Sequence, residues 1–464
     1  MKMNWNNCFS EDRYGVNSSG KGIRSEFEVD WDRIIFSSPF RRLQNKTQVF
    51  PLPDEVFVHN RLTHSLEVAS VGRSLGAMAG RALTENIHEI ASSADVNNFY
   101  LNDLKHVIAA ACLAHDMGNP AFGHSGEEAI SKYFIDKESS EIQNQKFLEL
   151  FTDKQWNDLT HFEGNANALR VLTKQQNGRQ FGGYRLTYST LGSIIKYPCE
   201  SLASQKKGPV HRKKYGFFEI DRTVFTEIAE KLNMVVDEAG PQLIYKRHPF
   251  VFLVEAADDI CYNIIDYEDA HRLKILTYDE VEKPLLAIIE SYEKDKIDKT
   301  LQNLKALRND KNEAVAYLRA KSINCLTNRC ADVFIKNQDL ILSGNFNISL
   351  MDGITELKDV LAEIGRISRQ CIYNHESVVR IELAGFHIMS GLIEDFVEAA
   401  LTEITKRSKR QEKTLNLLPT QFKLEESSSP YAKVIGIIDC ISGMTDLYAL
   451  KLYRNLRGIE MPHI

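Results

Sequence analysis

Apolar residues recur along this chain at helical spacing. Leu66, Val68, Ala69, Val71 and Leu75 mark one face, Leu104, Val107, Ile108, Ala111 and Cys112 a second, and Val251, Leu253, Val254, Ala257, Ile260 and Ile264 a third. Each recurrence follows the three-to-four-residue period that lays a hydrophobic stripe on a helix. Further patterns of this kind run through 277–320, 324–341, 350–375, 378–406 and 434–457. No repeat and no alternating series long enough for a sheet interrupts them, so the spacing predicts a mainly α fold. Turn chemistry sets the breaks: Gly118 to Gly123 ends the second helix, Gly182-Gly183 and Lys207-Gly208-Pro209 divide the middle, and Glu425 to Pro430 precedes the last helical stretch. Tyr215 to Ile220 reads as a short strand or hairpin arm.

The 464 residues, 43% hydrophobic and 26% charged, suffice for one large domain or two to three smaller ones. The longest uninterrupted apolar run, Val107 to Ala114, is too short to span a bilayer, and no apolar segment follows the first lysine. A cytoplasmic protein without a membrane anchor is expected. The eight cysteines include no Cys-x-x-Cys pair, which argues against structural zinc and a disulfide framework. A net charge of −6 gives no general attraction for polyanions. A phosphate or nucleic-acid site therefore has to rest on local basic residues, of which Lys206, Lys207, His211, Arg212, Lys213 and Lys214 are the densest group.

Candidate chemistry lies at helix ends and on apolar helices. His115-Asp116 closes the second helical run, His64 lies in the first, and Asp258-Asp259 lies in the third. Imidazoles and carboxylates from three helices form the donor set of a divalent ion that leaves room for water and phosphate oxygens. Mixed N/O ligation favours Mn²⁺, Fe²⁺, Co²⁺ or Zn²⁺, with Mg²⁺ also compatible. Residues 251–265 are otherwise largely apolar, so a charge there requires a partner. Asp258, Tyr262 and Asp266 form an i, i+4, i+8 stripe, while Asp259 joins Glu255, Tyr262 and Asp266 in a neighbouring stripe almost as well, and spacing leaves the choice open. Beyond the turn, Ser125 and Glu128 fit a capping box, leaving His124 and Glu127 at i, i+3 as an acid/base dyad.

Five blocks carry a family resemblance. They are Arg42 to Pro51, Arg61 to Val68, His115 to Glu127, His161 to Asn165 and Glu255 to Tyr262, with a further match at Asp439 to Asp446. Together they resemble the deoxyguanosine triphosphate triphosphohydrolases of the HD-domain phosphohydrolase superfamily. The resemblance implies an HD core over 1–290 with a variable insert near 135–250, and a helical C-terminal region over 291–464. It implies His64, His115, Asp116 and Asp258 as metal ligands, with Mn²⁺ or Mg²⁺ first among the ions, and His124 and Glu127 as the catalytic dyad. Gln48, Tyr262 and Asp266 are implied beside the deoxyribose, Lys196 and Tyr197 at the phosphates, and Lys213 or Lys214 as a second phosphate contact. The implied reaction converts dGTP, or other deoxynucleoside triphosphates, to deoxynucleoside and inorganic triphosphate. Family members are often hexameric, and some bind single-stranded DNA or respond to other deoxynucleotides. The sequence departs from the family at His161, where arginine is expected. A different nucleotidase or phosphodiesterase of the superfamily, a nucleotide sensor and a single-strand DNA binder are the alternatives.

Overall fold

The computed structural model describes residues 2–16, 22–50, 57–142, 145–175 and 180–461; Pro51, at the end of the first motif block, lies outside them. The three principal stripes become the helices Arg61–Asn86, Leu104–Ala114 and Val251–Arg272. Asn60 caps the first, its side chain accepting the Thr63 N–H while Thr63 Oγ1 accepts the Asn60 N–H. The Leu104–Ala114 helix is apolar on nearly every side and, beyond Lys105 and His106, is buried in the molecule, packed against both of the others.

Small residues allow that packing. Gly72, Gly76 and Gly80 follow each other at one-turn intervals on the face of Arg61–Asn86 that meets Leu104–Ala114. A Cβ at Gly80 would come within 1.9 Å of the Tyr100 carbonyl oxygen, and one at Gly72 within 2.4 Å of Cys112 Sγ. With hydrogen there instead, the two backbones close up, and the imidazole rings of His64 and His115 come to 5.3 Å between centroids.

Long helical patterns downstream are cut where local chemistry favours a cap. The 277–320 pattern divides into Tyr278–Tyr292, Ile297–Ala306 and the start of Lys311–Lys336, the last capped by Asp310. The 378–406 pattern ends at Leu401 in the helix Glu376–Leu401, and the 434–457 pattern splits into Pro430–Ser442 and Asp446–Leu456, with Thr445 capping the second. The apolar residues gather into two clusters. One joins the N-terminal segment to Arg61–Asn86, Leu104–Ala114, Val251–Arg272, Tyr278–Tyr292 and Lys311–Lys336, and the other joins His124–Lys137 to Glu376–Leu401 and Pro430–Ser442.

Two local expectations are corrected. Tyr215 to Ile220 is neither strand nor hairpin arm, because Tyr215, Phe217 and Phe218 are all buried, and their rings enter both clusters instead of alternating across a sheet. The paired strands among the described residues are Glu141–Ile142 with Gln145–Lys146, and Val236–Glu238 with Ile244–Tyr245. Nor does Ser125 cap a helix. The helix His124–Lys137 begins two residues sooner than such a cap would place it, with Gly123 at φ +57° as the cap residue and no side-chain cap bond among the described residues.

Candidate active site

The helices converge on a pocket of about 450 Å³ lined by His64, His115, Asp116, His124, Glu127 and Asp258, and further round by Gln48, Lys196, Tyr197, Lys214 and Tyr262. Side chains expected from distant blocks thus meet in one cavity. Asp266 and Lys213 do not line it: Asp266 is buried beneath Tyr373, and Lys213 faces solvent.

At the pocket floor, one ligand atom each from His64, His115 and Asp116 lie within 4.8 Å of one another. Asp258 Oδ1 lies 3.1 Å from His64 Nε2 and 3.4 Å from His115 Nε2. Spacing left Asp258 and Asp259 equivalent, but only Asp258 lines the pocket. Asp259 faces away from it, and burial raises its carboxyl to about 8. His115 Nδ1 donates to the Cys112 carbonyl at 2.6 Å. That bond fixes the ring and leaves Nε2 buried, with no hydrogen-bond partner among the described residues, facing the oxygens of Asp116 and Asp258 at 3.5 and 3.4 Å. Burial lowers the His115 pKa, but Asp116 and Asp258 outweigh it and raise it to about 9. The geometry calls for positive charge in front of Nε2, and the donor set of two imidazoles and two carboxylates fits a divalent cation there.

Asp116 is further held by Arg61 Nη1 at 2.7 Å and Asn119 Nδ2 at 2.6 Å. Sequence reading assigned neither residue a role. Arg61 lies one turn before His64 on the same helix, a spacing that could have singled it out, whereas the Asn119 contact depends on the turn that follows His115.

His124 projects into the pocket from the start of its helix. Its Nδ1 lies 2.9 Å from Glu127 Oε2, and Glu127 Oε1 accepts the Gly164 N–H at 2.7 Å. The bond to Glu127 raises the His124 pKa above its ordinary value despite opposing desolvation. Glu127 is buried, which alone would raise its carboxyl, but His124 and Lys214 hold it low.

Two lysines supply positive charge. Lys196 Nζ lies 3.4 Å from Glu255, itself clamped by both terminal nitrogens of Arg247 at 2.7 and 3.2 Å. Lys214 Nζ lies 2.9 Å from Glu163. Burial lowers both lysine pKa values, but the glutamates reverse the direction, so both stay cationic. Others of the basic cluster are engaged internally, His211 with Asp237 and Arg212 with Glu238 and the Ala203 carbonyl, while Lys206, Lys207 and Lys213 remain exposed.

The remaining wall comes from the C-terminal half. Tyr373 stacks on Tyr262 at 5.6 Å and 23°, and its hydroxyl donates to Asp266 at 2.8 Å. Burial raises the Asp266 carboxyl to about 8. Val378, Ile381 and Glu382 continue this wall. On the side of the Thr47–Gln48 segment, Gln48 Oε1 is buried without a hydrogen-bond partner among the described residues.

A helical core carrying His-Asp and two further ligand-type side chains on neighbouring helices defines an HD-domain phosphohydrolase, and the HD domain description matches residues 61–165. A phosphohydrolase-associated domain matches residues 354–455. Over 467 residues the chain is 36% identical to a deoxyguanosinetriphosphate triphosphohydrolase-like protein of Synechocystis sp., covering 99% of this chain and 100% of the relative. Proteins of the same description from Pseudomonas aeruginosa and Listeria innocua are 36% and 34% identical, again over 99% of this chain and 100% of each relative. The chain belongs to the deoxyguanosinetriphosphate triphosphohydrolase-like family of HD-domain proteins. No helix among the described residues is long and apolar enough to cross a membrane.

Proposed function

We propose that this protein hydrolyses dGTP, and other deoxynucleoside triphosphates to a lesser extent, to deoxynucleoside and inorganic triphosphate. The observation that carries the reading is one pocket joining the His64–His115–Asp116–Asp258 cluster to the His124–Glu127 pair and to two cationic lysines. A divalent metal, Mn²⁺ or Mg²⁺ first, held by those four residues, supplies charge neutralisation at the α-phosphate when bound. Lys196 and Lys214 hold the β and γ groups, and Tyr197 packs beside them. Their glutamate partners keep the lysines charged and aimed before substrate arrives, so less reorganisation is needed during reaction. His124, oriented through Nδ1 by Glu127, moves the proton at its free nitrogen while water attacks phosphorus and the 5′ oxygen leaves.

Selectivity for deoxyribose follows from the stacked Tyr262–Tyr373 pair and from the nearly neutral Asp266 behind it, a packed surface with little room for a further hydroxyl. The unpartnered Gln48 Oε1 is an acceptor for a sugar hydroxyl. Glu382, an acceptor-only side chain on the C-terminal wall, matches the paired N–H donors on the edge of guanine. Homo-oligomeric assembly and a cytoplasmic location belong to the same reading.

The test is product analysis with each of the four deoxynucleoside triphosphates in the presence of Mn²⁺. Inorganic triphosphate from dGTP is expected. Pyrophosphate or monophosphate as the first product would replace this reading with another nucleotidase chemistry.

A further inference from the structure

The acid/base turn and the Gln48 segment are both tied to a side chain outside the HD domain. Asp446, the first residue of the helix Asp446–Leu456, is buried, and its two carboxylate oxygens accept different backbone N–H groups: Oδ2 that of Thr47 at 2.8 Å, and Oδ1 that of Phe122 at 3.0 Å. Thr47 precedes Gln48, and Phe122 precedes Gly123 and His124. Phe122 adopts φ +61°, a left-handed conformation that a bulky side chain seldom takes and that persists only when its surroundings hold it. Those surroundings belong to the C-terminal region: Asp446 takes the Phe122 amide, and the ring lies over Gly385 of Glu376–Leu401, where a Cβ would come within 2.5 Å of it.

Two neighbouring links run the same way. Lys46 Nζ donates to the carbonyls of Asn119 at 2.6 Å and Ser442 at 2.9 Å. Asn167 Nδ2 donates to the Gly118 carbonyl at 2.7 Å and to Ser442 Oγ at 3.2 Å. The 118–122 turn is therefore pinned at both ends to the segment 442–446.

We propose that Asp446 is a positioning residue for hydrolysis, its carboxylate holding the His124 turn and the Gln48 segment in one mutual register. The kinetic part of this inference rests on the function proposed above; the structural part does not. Because the turn carries the proton-transfer group, loosening it lowers transition-state stabilisation more than ground-state binding.

The experiment compares the full-length wild type with Asp446→Asn, Asp446→Glu and Asp446→Ala. Asparagine presents one carbonyl oxygen and one NH₂, so one of the two backbone donors loses its acceptor, whereas alanine removes both. We expect kcat to fall about tenfold for Asn and about a hundredfold for Ala, with KM changed by less than about threefold. Bound metal and thermal midpoint should stay near wild type in Asn. Amide hydrogen exchange should accelerate at Thr47 or Phe122 in Asn and at both in Ala, if it folds, while the Leu104–Ala114 amides stay unchanged. Glu keeps the charge one methylene out of place and should lose rate as Asn does; recovery of wild-type kcat by Glu would overturn the positional claim. Unchanged exchange at both amides in Asn would overturn it as well, even if Ala does not fold. If the wild type releases no triphosphate from any substrate, the functional reading fails, and exchange at these two amides still decides whether Asp446 holds the turn.

Discussion

His124 Nδ1 lies 2.9 Å from Glu127 Oε2, and the other oxygen of that carboxylate is held by the Gly164 N–H. The imidazole therefore has one nitrogen committed and one facing the pocket. Because the bond to Glu127 is the main cause of the raised His124 pKa, Glu127→Gln should lower it. An acid role requires the protonated ring, so activity would be lost as pH rises through that pKa; a base role requires the neutral ring, so activity would be gained. In either case the inflection moves to lower pH in Glu127→Gln, with kcat down about 10- to 100-fold. A pH–rate profile of both proteins checks this, and an inflection left in place would remove Glu127 from the proton-transfer role.

The orphaned His115 Nε2 separates metal binding from proton transfer. Loss of a group that merely orients a ligand weakens metal binding roughly 10- to 100-fold, and loss of the ligand itself should cost at least as much. His115→Ala is expected to purify with little Mn²⁺ after dialysis, and His124→Ala with wild-type metal content and little activity. Metal analysis alongside rate measurement decides the matter. Full metal content in His115→Ala would dismiss the ligand assignment.

How much of this was legible in the sequence depends on how far apart the cooperating residues lie. The helices were readable because an apolar stripe is a local pattern; His115-Asp116 and the Asp258-Asp259 pair stood out against apolar surroundings, but the choice of His64, His115, Asp116 and Asp258 as one ligand set came from the family resemblance. Asp258 could not be told from Asp259, since their stripes share Tyr262 and Asp266; the way Val251–Arg272 packs against Arg61–Asn86 and Leu104–Ala114 sets which carboxylate meets the imidazoles. Tyr373 gave no local signal, and Asp446 closed a matched block without a role attached to it, because each acts on a group more than a hundred residues away. The aromatic run at 215–218 suggested β structure through side-chain preference, but burial of all three rings overrode it. The capping box at Ser125 failed because the left-handed turn at Phe122 and Gly123 starts the helix two residues sooner.

Tyr262 stacks on Tyr373, whose hydroxyl donates to Asp266, so the wall proposed to face the sugar is held from the C-terminal half. Tyr262→Ala should open that wall and raise the kcat/KM ratio of GTP to dGTP about tenfold, with a smaller effect on dGTP turnover. Tyr373→Phe keeps the ring but frees Asp266, and should shift the ratio in the same direction by less. Equal losses on the two substrates in Tyr262→Ala would place deoxyribose selection elsewhere.

Asp158 links the middle of the chain to the C-terminal helices, its Oδ2 accepting the Glu219 N–H at 2.7 Å and the Tyr431 hydroxyl at 2.6 Å. Burial outweighs these bonds and raises the carboxyl from 3.8 to about 7. A carboxyl that binds its proton more tightly when folded contributes stability at low pH. That contribution declines as pH climbs from 3.8 towards 7, where the unfolded chain has already released the proton, and stays lost above. Asp158→Asn is neutral throughout and keeps an oxygen for both donors. It should match the wild type near pH 4 and exceed it at pH 8 by up to about 4 kcal/mol. Urea unfolding at the two pH values measures the difference. A variant less stable than wild type at pH 8 would mean that the charged carboxylate, not the protonated one, is the form this junction holds.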